Sequence, residues 1–249
     1  MKIPGRKIVR GFVLYYAHWL CNYYGCVIIK LMVKKSKKKL GFKENYQDYI
    51  GGKLRLKTYQ KVGIVFLVVV IAGLVGWLYE FVFTFVNEGT GQWYMKGGNL
   101  LPWMNIYAIG ALLVVPLTYK FRRYTWAVFV ISFFVTGTVE LIAGWLVYTI
   151  GDGTRYWDYN GEPWNFGNIG GFVCFLSATV FALGCLALVY VVVPFCVYLA
   201  RRMNRRGFLT LAIVLFGLVM IDEVANLTLK NLDLPTAMDF YEAQGWEYR

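Results

Sequence analysis

Four carboxylates, Glu80, Glu140, Asp222 and Glu223, stand inside long apolar stretches, where an ionised acid costs at least about 2.5–3.5 kcal/mol. Those stretches contain no Lys, Arg or His to offset the charge. Burial favours the neutral acid, so proton uptake or cation binding is the chemistry open to such groups. Counted inward from the ends of their stretches, Glu80, Glu140 and Asp222 share one level, roughly 9–15 Å deep at helical rise. Gly73 and Gly76 share a helical face with Glu80, and Gly137 and Gly144 share one with Glu140, so both acids can face a neighbouring backbone or a narrow cavity. Asp222 and Glu223 are adjacent and point about 100° apart, which gives them separate tasks.

Aromatic side chains crowd the same level: Trp77, Trp93, Trp103, Trp145, Trp157 and Trp164, with Tyr79, Tyr94, Tyr107, Tyr156 and Tyr159. An interfacial belt accounts for them. The sharper alternative, which can coexist with the belt, is a pocket of ring faces and acids for an amine or a lipid headgroup. The candidate substrate- or cation-binding set is therefore Glu80, Glu140, Trp77, Asn105, Tyr107, Trp157, Asp158, Tyr159, Asn165, Asp222 and Glu223. For the glycine-rich run Asn165 to Gly171, packing competes with a ligand role.

The elements that position these residues follow from composition. Of 249 residues, 58% are hydrophobic and 16% charged, and the mean hydropathy is +0.50. A soluble domain is about 45–50% apolar and about 25% charged, so the chain reads as an all-α, polytopic transmembrane bundle. Five apolar blocks, 62–86, 105–119, 125–150, 169–200 and 207–229, approach the roughly 20 residues a span needs. Pro194 should bend or end the fourth. Domain boundaries fall at 1–61, a basic N-terminal segment; 62–229, the bundle; and 230–249, a tail.

Loop charge orients the bundle. Residues 1–61 carry 15 basic and 2 acidic side chains; Lys120, Arg122 and Arg123 follow span two, and Arg201, Arg202, Arg205 and Arg206 follow span four. The intervening segments are neutral or acidic. The expected location is the cell membrane, multi-pass, with a cytoplasmic N-terminus and an external C-terminus. Residues 11–33 are long enough to span, but both flanks are basic, which favours an interfacial or re-entrant helix near anionic lipid over a sixth span. Lipid is accordingly the expected partner of the lysine run Lys34 to Lys39, rather than nucleic acid.

The five cysteines fall within apolar segments and His18 is the single histidine, so neither a metal-ligand spacing nor an external disulfide is expected. No cofactor motif occurs, and no Gly-Lys-Ser/Thr loop, so ATP could act only through another chain.

An internal repeat is also expected. Glu80 precedes Pro102-Trp103-Met104-Asn105 by 22 residues, and Glu140 precedes Pro163-Trp164-Asn165 by 23. Two helical hairpins related by an axis along the membrane normal would give this pattern.

At Gly76-Trp77-Leu78-Tyr79-Glu80, at Pro102 with Ile106-Tyr107 and Gly110-Ala111, and at Trp157-Asp158-Tyr159 followed by Asn165, the chain resembles the ABC-transporter type IV family, also called CmpB-like, over about residues 62–229. The resemblance implies a multi-span membrane protein with a role in transport, and a separate ABC ATPase or other membrane subunit as partner. The family's Gly-Pro and Pro-Ile-Tyr-Gly pattern is altered here: Leu101 precedes Pro102, and Asn105 and Ala108 replace Pro and Gly around Ile106-Tyr107.

Three functions remain open. The first is a small transporter or permease-like component using the outer carboxylates. The second is a non-catalytic subunit or lipid-binding scaffold whose acids lock helices together. The third, a lipid-modifying enzyme, has the least support, because the chain lacks an evident nucleophile–base pair and a metal set.

Overall fold

A computed structural model describes residues 41–88, 94–95, 99–151, 153–245 and 247–248; the helix expected at 11–33 and the lysine run Lys34 to Lys39 lie outside them. The unit from Phe42 to Arg249 is described below. Its first element, α1 (Phe42–Ile50), is a short helix that sequence reading did not anticipate. Then come α2 (Thr58–Glu88), β1 (Tyr94–Met95), α3 (Asn105–Thr118) and α4 (Thr125–Ile150). The next helix runs as α5 (Phe175–Ala187), a wider π-type turn Leu188–Val192, and α6 (Val193–Arg202). Last are α7 (Arg205–Asn231), α8 (Ala237–Ala243) and β2 (Glu247–Tyr248), which pairs in parallel with β1.

Four of these rods are long and apolar enough to cross a membrane: Thr58–Phe83, Thr125–Ile150, Phe175–Arg202 and Arg205–Asn231. The protein is thus a multi-pass membrane protein built of helices, with the short β1–β2 pair at their ends. The expected block 105–119 forms a helix of 14 residues, about 21 Å at helical rise and short of a full crossing. Pro194 does not end the fourth block, because the π-type turn lies directly before it. A widened turn absorbs the ring and the missing N–H, and the rod continues to Arg202. The block also starts later than expected, since residues 169–173 form a hairpin closed by an Ile169–Val173 bridge.

Large apolar side chains on the outside of the rods, such as Trp126, Phe134, Ile221 and Leu227, are exposed, as lipid contact requires. Inside, Leu67 and Val68 of α2 pack with Ala111, Cys196, Phe208 and Ala212. Nearer the other end, Val69 and Val70 pack with Trp103, Ala108 and Val219. Helix α4 joins through Val128 against Val114, Cys185 and Val189. Cys174, Cys185 and Cys196 are free and buried, in keeping with their reading as small packing residues.

The basic ends of the rods are clamped to α1, whose Tyr49 lies in the first core cluster. Asn45 Nδ2 donates to the Pro194 carbonyl at 3.3 Å, and Arg201 Nη1 donates to Asn45 and to Asp48 at 3.0 Å each. Gln60 Nε2 donates to the Ala200 carbonyl at 2.6 Å. Residues 42–60 of the basic N-terminal segment therefore contribute to the bundle itself.

At the opposite end, glycines on α2 let the 99–107 segment lie flat against the helix. A Cβ at Gly73 would sit 2.0 Å from Trp103 Nε1, and one at Gly76 would sit 2.1 Å from Tyr107 Cγ. Trp103 is buried and donates Nε1–H to the Val69 carbonyl at 3.4 Å, so it cannot swing aside. Gly73→Ala should therefore cost about 1–3 kcal/mol by overpacking. Gly110→Ala, with nothing within 4 Å of the added atom, should be neutral or stabilise by up to about 1 kcal/mol through helix propensity. Thermal unfolding in detergent checks the pair, and equal midpoints would contradict the packing.

Candidate functional site

Glu80 sits on α2 and Glu140 on α4, and each accepts a hydrogen bond from a tyrosine that follows it in the chain. Tyr107 Oη donates to Glu80 Oε1 at 2.6 Å, and Tyr159 Oη donates to Glu140 Oε1 at 2.6 Å. The second oxygen of Glu140 lies 2.9 Å from the Ser177 hydroxyl. That hydroxyl also lies 3.0 Å from the Cys174 carbonyl, and it accepts the Cys174 N–H at 3.1 Å. Ser177 therefore has two acceptors for one proton. It reaches Glu140 because the Cys174–Ser177 capping box starts α5 at this depth.

Glu140 is only 4% exposed. The bonds just described reach it from neutral hydroxyls, which can serve the carboxylate without cancelling its charge. Gly144, one turn along α4, allows this fit: a Cβ there would stand 3.0 Å from Phe172 and 3.1 Å from Trp157.

The two carboxylate–tyrosine pairs share one aromatic cluster. Phe181 of α5 meets Tyr107 at 5.6 Å and Tyr79 at 6.3 Å between ring centroids. Trp164 meets Tyr159 at 5.6 Å and Phe83 at 5.7 Å. Tyr159, in the α4–α5 connection, feels both acids. Burial pushes its phenol far above the usual range, reinforced by the charge and hydrogen bond of Glu140 and then by the charge of Glu80. It stays a proton donor at any physiological pH.

Asp222 and Glu223 of α7 do other work. Asp222 accepts the backbone N–H groups of Leu100 at 3.1 Å and Leu101 at 2.7 Å, and Asn226 Nδ2 at 2.8 Å. Glu223 accepts Asn99 Nδ2 at 2.8 Å and Asn105 Nδ2 at 3.1 Å. Together they fasten the segment that carries Trp103 and Tyr107 to α7, so the two acids share one task despite their separation around the helix, because the 99–105 segment is wide enough to meet both. Asn105 thus belongs to the Glu223 network rather than to the Glu80 pair.

The remaining sequence candidates are spread around the cluster. Trp77 stacks on Phe81 at 5.2 Å, and its Nε1 is shut from solvent with no partner among the described residues. Trp157 Nε1 donates to the Phe172 carbonyl at 2.8 Å. Asp158 accepts Asn160 N at 3.0 Å and lies 4.0 Å from Arg155. Asn165 is exposed, and its carbonyl accepts the Asn168 N–H at 3.2 Å. Sequence reasoning missed Ser177, Phe181 and Asn99. Only Ser177 left a trace, as a hydroxyl eight residues into the apolar block 169–200.

A model of the family described as Putative ABC-transporter type IV matches residues 65–227. Neither a curated protein nor a solved structure matches the chain.

Proposed function

The chain belongs to the ABC-transporter type IV family, and from this premise we propose that it is a small transporter or permease-like component that binds a proton or a cationic group at Glu140 and Glu80. One observation carries the reading: a nearly inaccessible carboxylate inside an apolar rod is satisfied by hydroxyls of Tyr159 and Ser177, and no guanidinium or ammonium of the kind a structural acid usually finds stands against it among the described residues. A proton or a small cation supplies the missing positive charge, and the ring faces of Tyr79, Tyr107 and Phe181 suit an organic cation.

The same reading includes five crossings, with α3 as a short fifth, and the two-hairpin repeat. The repeat draws support from the matching 2.6 Å bonds of Glu80 and Glu140. It is imperfect, because Tyr107 lies on the returning helix whereas Tyr159 precedes its own. The arginine-rich end faces the cytoplasm, leaving the carboxylate cluster in the outer half and a basic surface where an ATPase subunit could dock.

The test is thermal stabilisation of the purified full chain by sodium, potassium, choline and simple primary amines between pH 5 and 8. At least one should raise the unfolding midpoint, and Glu140→Gln should abolish the rise. A panel without effect on the parent chain, or with the same effect on the variant, overturns the reading.

A further inference from the structure

Beside the carboxylate cluster, on the outer surface of α4, lies a groove of about 430 Å³. Leu141, Ile142 and Trp145 form its floor, and Ile169, Gly170 and Phe172 of the hairpin form its wall. Ile142, Trp145 and Ile169 are more than half exposed, at 51%, 54% and 58%. Leu141 lies nine residues from Ile150, so the floor reaches roughly 13 Å down the rod. An open apolar trough on the side of a membrane helix meets hydrocarbon.

Its rim is polar and built. Arg155 Nη1 donates to the Gly170 carbonyl at 2.8 Å, and the guanidinium lies 4.6 Å from the Phe172 ring and 4.9 Å from the Tyr148 ring. It is the one basic residue between Ile150 and Phe175. Its acidic neighbour Asp158 stands 4.0 Å away and half exposed, a distance at which a surface pair is weak. The wall is held in place by Trp157 Nε1 on the Phe172 carbonyl at 2.8 Å and by Tyr159 N on the Gly171 carbonyl at 3.0 Å. A Cβ on Gly171 would fall 2.4 Å from Arg155 Nη1, so the guanidinium packs directly on the hairpin backbone.

We propose that this groove holds one acyl chain of an anionic glycerophospholipid, with Arg155 engaging the phosphate. The chain follows Trp145, Ile142 and Leu141 towards the membrane interior, and the headgroup rests where the trough opens on the guanidinium. The site does not depend on what Glu140 binds. It does brace the hairpin that accepts Tyr159 N–H, so a seated lipid stiffens the support of that side chain.

The full chain in nanodiscs of equal phosphatidylglycerol and phosphatidylcholine, released and counted by native mass spectrometry, tests the site. The parent chain should retain phosphatidylglycerol about five- to tenfold over phosphatidylcholine: both carry the phosphate that Arg155 meets, but only choline sets an ammonium beside the partly exposed guanidinium. Arg155→Gln should bring that ratio near one, and Arg155→Lys should keep most of it. Ile142→Trp, which fills the floor, should lower retention of both lipids at unchanged preference. No preference in the parent chain, the same loss in Lys as in Gln, or full retention in Ile142→Trp would each overturn the assignment.

Discussion

Glu140→Gln should leave a stable bundle that has lost cation or proton handling, whereas Glu140→Ala should unfold more easily by about 2–4 kcal/mol. The difference follows from counting protons. Glutamine keeps the shape, and its carbonyl oxygen still accepts from Tyr159. Its amide then donates to Ser177 Oγ, whose own proton turns to the Cys174 carbonyl 3.0 Å away. Every polar group stays paired, so the stability change should be under about 1 kcal/mol. Alanine leaves the Tyr159 hydroxyl, a permanent donor, without its acceptor and opens a cavity beside Gly144. Uptake of choline or a primary amine into proteoliposomes under an imposed pH gradient, measured with thermal unfolding, separates the two readings. A transporter predicts uptake reduced at least about tenfold in Glu140→Gln at near-parental stability, because the charge that matches the cation is gone. Uptake at the parental rate, with stability lost in Glu140→Ala alone, would instead make Glu140 a structural anchor and favour the non-catalytic subunit.

The rods and their carboxylates were legible because a bilayer imposes so strong a constraint. A run such as Thr125–Ile150 has to be helical from end to end, and its bounds match the apolar block residue for residue. The partners of the acids were not legible, because hydroxyls carry no signal in hydropathy. Tyr159 could be noticed as part of a Trp-Asp-Tyr element, yet only the fold shows that its phenol reaches Glu140, while Asp158 beside it turns to Asn160. Asp222 and Glu223 looked like the other buried acids in sequence. They differ because α7 faces the 99–105 segment, whose amide groups demand acceptors. Helix α1 escaped notice for the opposite reason. Its sequence Phe-Lys-Glu-Asn-Tyr-Gln-Asp-Tyr-Ile is polar, and its burial depends on arginines more than seventy residues away.

Arg122→Ala should destabilise the protein by about 2–5 kcal/mol and release α1 from the bundle. By charge counting Arg122 is one of the three cations of the connection after span two that help to orient the chain, yet it is only 6% exposed. Its Nε donates to the Tyr49 carbonyl and its Nη1 to the Tyr119 carbonyl. The guanidinium sits 3.9 Å from the Tyr119 ring and 5.3 Å from the Tyr49 ring. Arg123 completes the clamp by donating to the carbonyls of Ile50 and Gly51. Two cations thus meet the last carbonyls of α1, where the helix dipole is negative. Burial drives the Tyr49 phenol well above its ordinary range, with Arg122 pulling the other way, so the ring remains neutral and free to pack. Lysine cannot reproduce a planar fork that serves two carbonyls and two rings, so Arg122→Lys should recover less than half of the loss. Hydrogen exchange resolves the local effect: amides of residues 46–50 should exchange faster by the same free energy that thermal unfolding reports. Unchanged protection there in Arg122→Ala would mean that Asn45, Asp48 and Arg201 hold α1 without it.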